Sequence, residues 1–392
     1  MILSYIPRNC ISTLERLKKG FPLVGIVGPR QSGKTTLARH AFSYKPYVSL
    51  EDPDIFEFAT TDPKGFLDQY PEGAILDECQ RVPLLFSYLQ RIVDESKIMG
   101  HFILTGSQQF GLRSQISQSL AGRIGMITLL PFSLQELQHA KKSKILFEQM
   151  HSGFFPPLYD RSIEPRDWFA SYLQTYIERD VRQLIKIKDL KTFQTFIRMC
   201  AGRAGQIVNL SSLGNDCGVS HVTIKDWLSV LEASFVTYSL RPHFQNFSKR
   251  LIKSPKIYFY DIGLLCYLLN IKNSEDLALH SCRGNIFENF IINEFCKSSF
   301  NSGEVPDYYF WRDNSGTEID LIFEMKGKLI PVEIKSGQTI TNDYFKNILL
   351  WKKYAGDLGD EGFIIYGGGI DQKRSKLPVY SWKNTSSYLK TE

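Results

Sequence analysis

The sequence contains few cysteines, and they follow no recognisable pattern. Seven cysteines are scattered over 392 residues, and no two of them form a C-x-x-C pair. This distribution suggests neither a disulfide framework nor a zinc site, and it favours a reducing, cytoplasmic compartment. The sequence also lacks a run of 18 apolar residues and the apolar core of a signal peptide, so we expect no membrane span. Internal repeats and low-complexity tracts are absent as well.

An excess of charge of one sign is also missing. The 47 Lys and Arg residues nearly balance the 41 Asp and Glu residues, which leaves a net charge of +6. A mildly basic chain permits a nucleic-acid partner without requiring one. A hydrophobic content of 43% is typical of a globular protein. At 392 residues the chain is too long for one ordinary core, so we expect two or three domains.

What the sequence does contain is a glycine-rich loop between a strand pattern and a helix pattern. The apolar run 23–27 is followed at 28–35 by G-x-x-x-x-G-K-T, the spacing of a phosphate-binding P-loop. The two glycines allow backbone N–H groups to curl around a phosphate at a helix N-terminus. Lys34 is expected to reach the β- and γ-phosphates, and Thr35 to bind Mg²⁺. The predicted ATP contacts are Gly28, Arg30, Ser32, Gly33, Lys34, Thr35 and Thr36.

Two acids follow a later apolar run. Residues 73–78 predict a strand that ends in Asp77 and Glu78. Asp77 is expected to hold Mg²⁺, directly or through water, and Glu78 to polarise the attacking water as general base. The alternative is a strand end that simply meets solvent. The next predicted strand, 101–105, offers Thr105 and Ser107 as contacts to the γ-phosphate or the water, and we favour Ser107.

Arg123 lies just before a further predicted strand. An arginine there could reach a neighbouring subunit's γ-phosphate as an arginine finger, which would couple hydrolysis to assembly of a homo-oligomer. A surface salt bridge is the alternative. Arg113 is the second candidate for the same role.

The motifs at 28–36, 76–80, 104–107 and 120–123 together resemble those of the AAA-like ATPases of bacteria and archaea that carry an uncharacterised C-terminal domain. The resemblance covers nearly the whole chain. It implies ATP binding, with Mg²⁺ as the accompanying ion, and it says little about the target.

The middle of the chain has the pattern of a helical, winged-helix-like domain. Two predicted helices flank a turn at 218–220, and the outer face of the second could enter a DNA groove or contact a protein. The window 241–256 is rich in Lys and Arg, contains no acid, and suits a surface that follows phosphates, with a solvated linker as the alternative. The predicted DNA contacts are His221, Thr223, Lys225, Lys249, Arg250 and Lys253. A single long helix is predicted at 168–187.

The C-terminal part predicts a helix, three strands, a second helix and a fourth strand, an order that resembles the PD-(D/E)xK nuclease fold. Asp320 corresponds to the first acid, and Glu333 and Lys335 to the E-x-K, on one face of a strand. These carboxylates, with Glu288, could hold Mg²⁺, while Lys335 would position the nucleophile or stabilise the transition state. A domain that binds DNA without cutting it, or a buried ion cluster, is the alternative.

The predicted fold class is therefore α/β in three parts. Residues 1–140 form a P-loop ATPase domain with a parallel sheet and flanking helices, 165–260 a helical and winged-helix-like domain, and 280–392 a PD-(D/E)xK-like domain. The leading hypothesis is a cytoplasmic ATPase that couples ATP hydrolysis to the handling of DNA. Its rivals are a nucleotide-dependent switch that binds a protein partner and an ATP-regulated nuclease.

Overall fold

The computed structural model describes residues 5–107, 120–177, 190–243, 254–374 and 377–385. Within these ranges the strands belong to two sheets, one near the start of the chain and one nearer its end. Helices cover both sheets and fill the region between them.

The first sheet is the parallel sheet that the sequence predicts. Its strands pair in the order β2-β3-β4-β1-β5. Because helices cover both faces, β1 reads as an unbroken apolar run and is buried along its whole length. The strands are β1 (Leu23–Val27), β2 (Tyr47–Ser49), β3 (Ile75–Asp77), β4 (Phe102–Gly106) and β5 (Ile124–Thr128). The helices around them are α1 (Ile11–Gly20), α2 (Lys34–Ala41), α3 (Pro53–Thr61), α4 (Pro63–Asp68) and α5 (Leu85–Ser96).

A run of short helices follows the first sheet. They are α6 (Leu134–His139), α7 (Leu146–Ser152), α8 (Pro157–Asp160), α9 (Pro165–Tyr172), α10 (Leu190–Ala201), α11 (Leu210–Cys217) and α12 (His221–Ala233). The first part of the long helix predicted at 168–187 is confirmed, since α9 continues at Tyr172 into a π-helical segment, Leu173–Ile177. The remainder of that prediction lies outside the described residues.

The second sheet joins the middle of the chain to its C-terminal part. Its order is β12-β13-β11-β10-β9-β8-β6-β7. The strands are β6 (Thr237–Pro242), β7 (Lys256–Phe259), β8 (Tyr309–Arg312), β9 (Glu318–Met325), β10 (Lys328–Lys335), β11 (Phe363–Tyr366), β12 (Gln372–Arg374) and β13 (Leu377–Ser381). The accompanying helices are α13 (Ile262–Leu268), α14 (Ser274–Leu279), α15 (Arg283–Ser302) and α16 (Asp343–Ala355).

The predicted C-terminal elements occur in the predicted order, from α15 through β8, β9, β10 and α16 to β11. Two features were not predicted. Strands β12 and β13 extend the sheet, and β6 pairs with β8 in parallel. The sheet therefore crosses the predicted boundary between residues 165–260 and 280–392. One apolar core likewise runs from Ile6 to Trp382, so the middle and C-terminal parts pack as a continuous body.

Candidate functional site

The P-loop lies at the carboxyl edge of the first sheet, between β1 and α2. A Cβ atom on Gly28 would lie 2.1 Å from the carbonyl oxygen of Leu129, so only glycine fits against this neighbouring segment. Gly33 has φ +92°, a conformation that favours glycine. Both glycines of the motif are therefore required by the geometry of the loop itself.

Lys34 is buried and points back into its own loop. Its ammonium donates hydrogen bonds to the carbonyl oxygens of Gly28, at 3.1 Å, and Pro29, at 2.8 Å. A cation held at this place is available to phosphate oxygens that enter the loop.

The carboxylate of Asp77, at the end of β3, accepts hydrogen bonds from three hydroxyl groups. Thr35 donates to its Oδ2 at 2.9 Å, Tyr47 donates to the same oxygen at 2.7 Å, and Thr105 donates to Oδ1. Burial, together with the hydrogen bond to Asp77, raises the pKa of Tyr47 to about 12, so its hydroxyl stays a donor. The sequence did not single out Tyr47, which no local motif marks.

Glu78 is fixed by two donors. Ser107 donates to its Oε2 at 3.0 Å, and the side-chain amide of Gln80 donates to the same oxygen. The residue has φ +54°, in the left-handed region that non-glycine residues seldom occupy. Of the two residues considered at the end of β4, Ser107 therefore holds Glu78 and Thr105 holds Asp77.

These groups surround a cavity of about 460 Å³. Of the predicted ATP contacts, Arg30, Gly33, Lys34, Thr35 and Thr36 line it together with Asp77 and Glu78. Gly28 and Ser32 lie behind this lining, and Ser32 is fully buried. The opposite wall comes from the segment at α8, whose Pro156, Pro157, Asp160 and Arg161 face the loop.

A buried arginine near the start of the chain braces the P-loop. Arg8 donates to the Ser32 carbonyl at 2.9 Å, to the Leu130 carbonyl at 2.5 Å and to Glu136 Oε1 at 3.1 Å. The Glu136 carboxylate also accepts from the Ser133 backbone N–H in a capping box at the start of α6. The spacing Ser133-x-x-Glu136 is a sequence signal for that cap, but nothing local points to Arg8.

Arg123 lies at the other edge of the sheet. It precedes β5, its carbonyl accepts from the backbone N–H of Leu23 at the start of β1, and its side chain forms a salt bridge with Asp94 at 2.6 Å. The salt bridge corresponds to the alternative that the sequence analysis gives to an arginine finger. A role in a neighbouring subunit's site stays a prediction, and Arg113 lies outside the described residues.

The helix pair predicted near 218–220 is present. Ser220 caps α12 by accepting from the Thr223 backbone N–H at 3.1 Å, and Ile224 and Leu231 face the core. His221 and Lys225 are exposed and Thr223 is partly exposed. Lys249, Arg250 and Lys253 lie outside the described residues.

At the end of the basic window, the prediction of a surface that follows phosphates is wrong. Lys256 is only 2% exposed, and its ammonium pairs with Glu288 Oε1 at 2.9 Å and with Glu318. Tyr258 also donates to Glu288. His243 is buried as well. The aliphatic part of the Lys256 side chain can be buried among apolar residues. Its ammonium can be buried as well because two carboxylates neutralise its charge.

Two carboxylates predicted for the nuclease-like site, Glu288 and Asp320, lie close together, and Glu318 lies with them. Oxygen atoms of Glu288, Glu318 and Asp320 lie within 4.8 Å of one another. The sequence missed Glu318, although it stands two residues before Asp320 on the same strand and hence on the same face. Burial raises the pKa of Glu288 to about 7, with Asp320 adding to this and Lys256 opposing it.

Glu333 and Lys335 form the other half of this cluster. Lys335 pairs with Glu333 and, at 3.4 Å, with Asp320, whose Oδ2 also accepts from the Ile334 backbone N–H at 2.7 Å. Burial raises the pKa of the Glu333 carboxyl well above its usual range. Two lysines thus share four carboxylates, an arrangement of hard oxygen donors that can take a divalent cation or persist as a buried ion cluster.

Comparison with known proteins assigns the first part of the chain. Residues 20–138 match a family model described as an AAA domain, and residues 143–275 and 283–384 match two models that are each described as a domain of unknown function. Uncharacterized proteins of Mycobacterium bovis and Mycobacterium tuberculosis are each 30% identical over 335 residues, which cover 85% of this chain and 74% of theirs. The chain belongs to this family of AAA-domain proteins. Its nucleotide cavity is accordingly that of a P-loop ATPase.

The matching solved structures have lower identity to this chain and TM-scores below 0.5. A Walker-type ATPase of Pyrococcus abyssi is 14% identical with a TM-score of 0.47, over 67% of this chain and 96% of that one. The Holliday junction branch migration motor of Thermotoga maritima is 18% identical with a TM-score of 0.30, over 59% and 89%. Among the described helices, none is long and apolar enough to cross a membrane.

Proposed function

We propose that the protein is a Mg²⁺-dependent ATPase that couples ATP hydrolysis to the handling of DNA. The observation that carries the ATPase part is the convergence of Lys34, Asp77 and Glu78 on one cavity of about 460 Å³. Each of these side chains is already held by hydrogen bonds to its neighbours.

Each residue of the site has its own role in phosphoryl transfer. The Lys34 ammonium exchanges its bonds to loop carbonyls for bonds to the β- and γ-phosphate oxygens. Thr35 and Asp77 would hold Mg²⁺ through a hydroxyl and a carboxylate oxygen, and the ion would offset charge on the phosphates. Glu78 accepts the proton of the attacking water, while Ser107 and Gln80 keep its carboxylate turned toward the cavity.

The experiment is ATP hydrolysis by the purified protein with Mg²⁺, alone and with single-stranded, duplex or branched DNA. We expect basal turnover, no turnover by Lys34→Ala, and stimulation by one of the DNA forms. Turnover that every DNA leaves unchanged would argue against the DNA part, and equal turnover by Lys34→Ala would argue against the ATPase part.

The DNA part is supported by α12. His221 and Lys225, one helical turn apart, share its exposed side, and Thr223 is partly exposed near the capped start, as in a recognition helix. The first turns of this helix carry a single lysine, so most of the affinity for phosphates has to come from other residues.

A nucleotide-dependent switch that binds a protein partner is the second candidate, and one observation favours it. Val222 on the same side of α12 is 54% exposed, and the exposed Asp226 follows Lys225. An apolar side chain beside mixed charges suits a protein surface better than a phosphate backbone. Loss of DNA stimulation in Lys225→Gln but not in Val222→Ser would favour DNA, and DNA stimulation that neither substitution changes would favour a protein partner for α12.

The C-terminal cluster supports a nuclease-like activity as the third part of the proposal. Asp320 and Glu333 lie together beside Lys335, so a metal ion, a water nucleophile and a scissile phosphate could meet at one place. Plasmid cleavage with Mg²⁺ or Mn²⁺ that Asp320→Ala abolishes while ATP turnover persists would support it. Without cleavage by the unaltered protein, the cluster is an ion network that serves the fold.

A homo-oligomer is the remaining part of the proposal. Arg123 lies at the edge of the sheet opposite its own P-loop, so it could act on a γ-phosphate only in another subunit. Mixing Arg123→Ala with Lys34→Ala protein should then restore some activity in shared sites. A mixture as inactive as its components would leave Arg123 with only its salt bridge to Asp94.

A further inference from the structure

A second cavity, of about 250 Å³, lies beside the first turn of α9. Arg166 on α9, Arg198 on α10 and Lys272 beyond α13 all line it. Within the part of the chain that the structure describes, none of these three side chains forms an ion pair or a hydrogen bond. The single acid of the lining is Asp167, so the formal charge around the cavity is positive.

Three exposed cations in a lining with a single acid repel one another through solvent, and an anion between them removes that cost. Two of the three are arginines, whose planar fork binds phosphate oxygens in pairs. Phe169 and Tyr267 also line the cavity with their rings stacked, which gives it an apolar wall. A volume of about 250 Å³ can hold a phosphate or a diphosphate group.

A third cavity lies between the basic cavity and the nucleotide cavity and shares lining residues with each. A cavity of about 450 Å³ shares Asp167 with the basic cavity, and it shares Gln31 and Arg161 with the nucleotide cavity. The three cavities therefore follow one another from the P-loop along α9. An anion in the basic cavity would lie next to the helix whose other flank lines the third cavity.

We propose that the basic cavity is a second phosphate-binding site, separate from the P-loop, for a phosphate group of a nucleic-acid backbone or of a free phosphate compound. A nucleic-acid backbone as the source of the phosphate rests on the DNA part of the proposed function. In that case the cavity supplies the cations that α12 lacks. The free-phosphate source does not depend on that part.

The test is binding of inorganic pyrophosphate by calorimetry in a Lys34→Ala background, which weakens the P-loop site. We expect the added pair Arg166→Gln and Arg198→Gln to reduce affinity at least tenfold, since charge-assisted hydrogen bonds are lost. The matched control, Lys19→Gln with Arg91→Gln, removes two exposed cations elsewhere and should change nothing. Equal pyrophosphate binding by the two pairs, or no binding in the Lys34→Ala background, would overturn the site.

A single-stranded oligonucleotide distinguishes the two sources. A parallel tenfold loss of oligonucleotide binding assigns the site to a nucleic-acid backbone. Unchanged or absent oligonucleotide binding, with pyrophosphate still weakened, assigns it to a free phosphate compound and counts against the DNA part of the proposed function alone. ATP binding by the Arg166→Gln, Arg198→Gln protein with Lys34 intact shows that the variant is folded.

Discussion

The hydroxyl of Ser107 donates a hydrogen bond of 3.0 Å to the carboxylate of Glu78. The two residues are 29 positions apart in sequence and meet because β3 and β4 are neighbours that end at one edge of the sheet. Glu78 is held in a left-handed backbone conformation, which costs about 1–3 kcal/mol and persists when the surroundings impose it. The carboxylate is thus oriented before any substrate arrives.

Glu78→Gln should bind ATP and fail to turn it over. The amide keeps the size of the side chain but cannot accept the proton of water, and general-base catalysis is worth about 10²–10⁴-fold in rate. Single-turnover hydrolysis and equilibrium binding of a fluorescent ATP measure the two effects. Glu51→Gln is the matched control, because Glu51 lines the same cavity and is exposed. Turnover near the unaltered rate in Glu78→Gln would remove Glu78 from the mechanism.

The parts of the site that the sequence could predict are those that a local pattern encodes. A strand, a glycine loop and a helix fix the positions of Gly33, Lys34 and Thr35 within a few residues, and parallel strands bring Asp77 to the same edge. Tyr47 and Arg8 were not predicted because each acts through a partner that is distant in sequence. Tyr47 is 30 residues from Asp77, and Arg8 is 128 residues from Glu136.

For Lys256, in contrast, the sequence predicts a surface position and the structure shows a buried one. The window that ends at this residue, 241–256, is rich in Lys and Arg and contains no acid, which indicates a solvated surface. Its ammonium nevertheless lies between Glu288 on α15 and Glu318 on β9. Only the assembled sheet brings those carboxylates to β7. Composition within a window cannot reveal a counter-charge that the fold supplies from elsewhere.

Lys256→Met should destabilise the protein strongly. It leaves the buried Glu288 without its cation, while the half-buried Glu318 keeps its salt bridge with Arg312. Breaking a buried ion pair from one side costs about 3–5 kcal/mol. Urea unfolding measures the loss. Lys353→Met, at an exposed lysine on α16, should have little effect. Adding Glu288→Gln to Lys256→Met should recover part of the stability, and a Lys256→Met protein as stable as the unaltered one would contradict the buried pairing.

The stability of the protein should fall as pH rises from about 4.5 to 7, in part because of Glu288. Burial raises the pKa of its carboxyl from 4.5 to about 7, so the folded state binds this proton more tightly than the unfolded state within that window. Above pH 7 the folded protein carries the full cost of the ionised form. Thermal unfolding between pH 5 and 8 should show a steeper decline for the unaltered protein than for Glu288→Gln. Parallel declines would mean that Glu288 titrates at its ordinary pKa.

Arg8→Met should weaken both the fold and the nucleotide site. Arg8 is 5% exposed and connects the Ser32 carbonyl of the P-loop to Glu136 at the start of α6. Methionine fills the space but leaves the Glu136 carboxylate buried without its cation, at a cost of about 3–5 kcal/mol. Thermal unfolding measures that loss, and fluorescent ATP binding measures the effect on the loop.

Arg8→Lys separates the charge from the geometry. Lysine restores a cation but lacks the planar fork that reaches Glu136, Ser32 and Leu130 together, so we expect partial recovery of stability and weaker recovery of ATP binding. Arg16→Met is the control, since Arg16 is exposed and donates only to the Ser302 carbonyl among the described residues. If Arg8→Met bound ATP as tightly as Arg16→Met did, the P-loop would keep its shape without the contact to Ser32, and Arg8 would serve the fold alone.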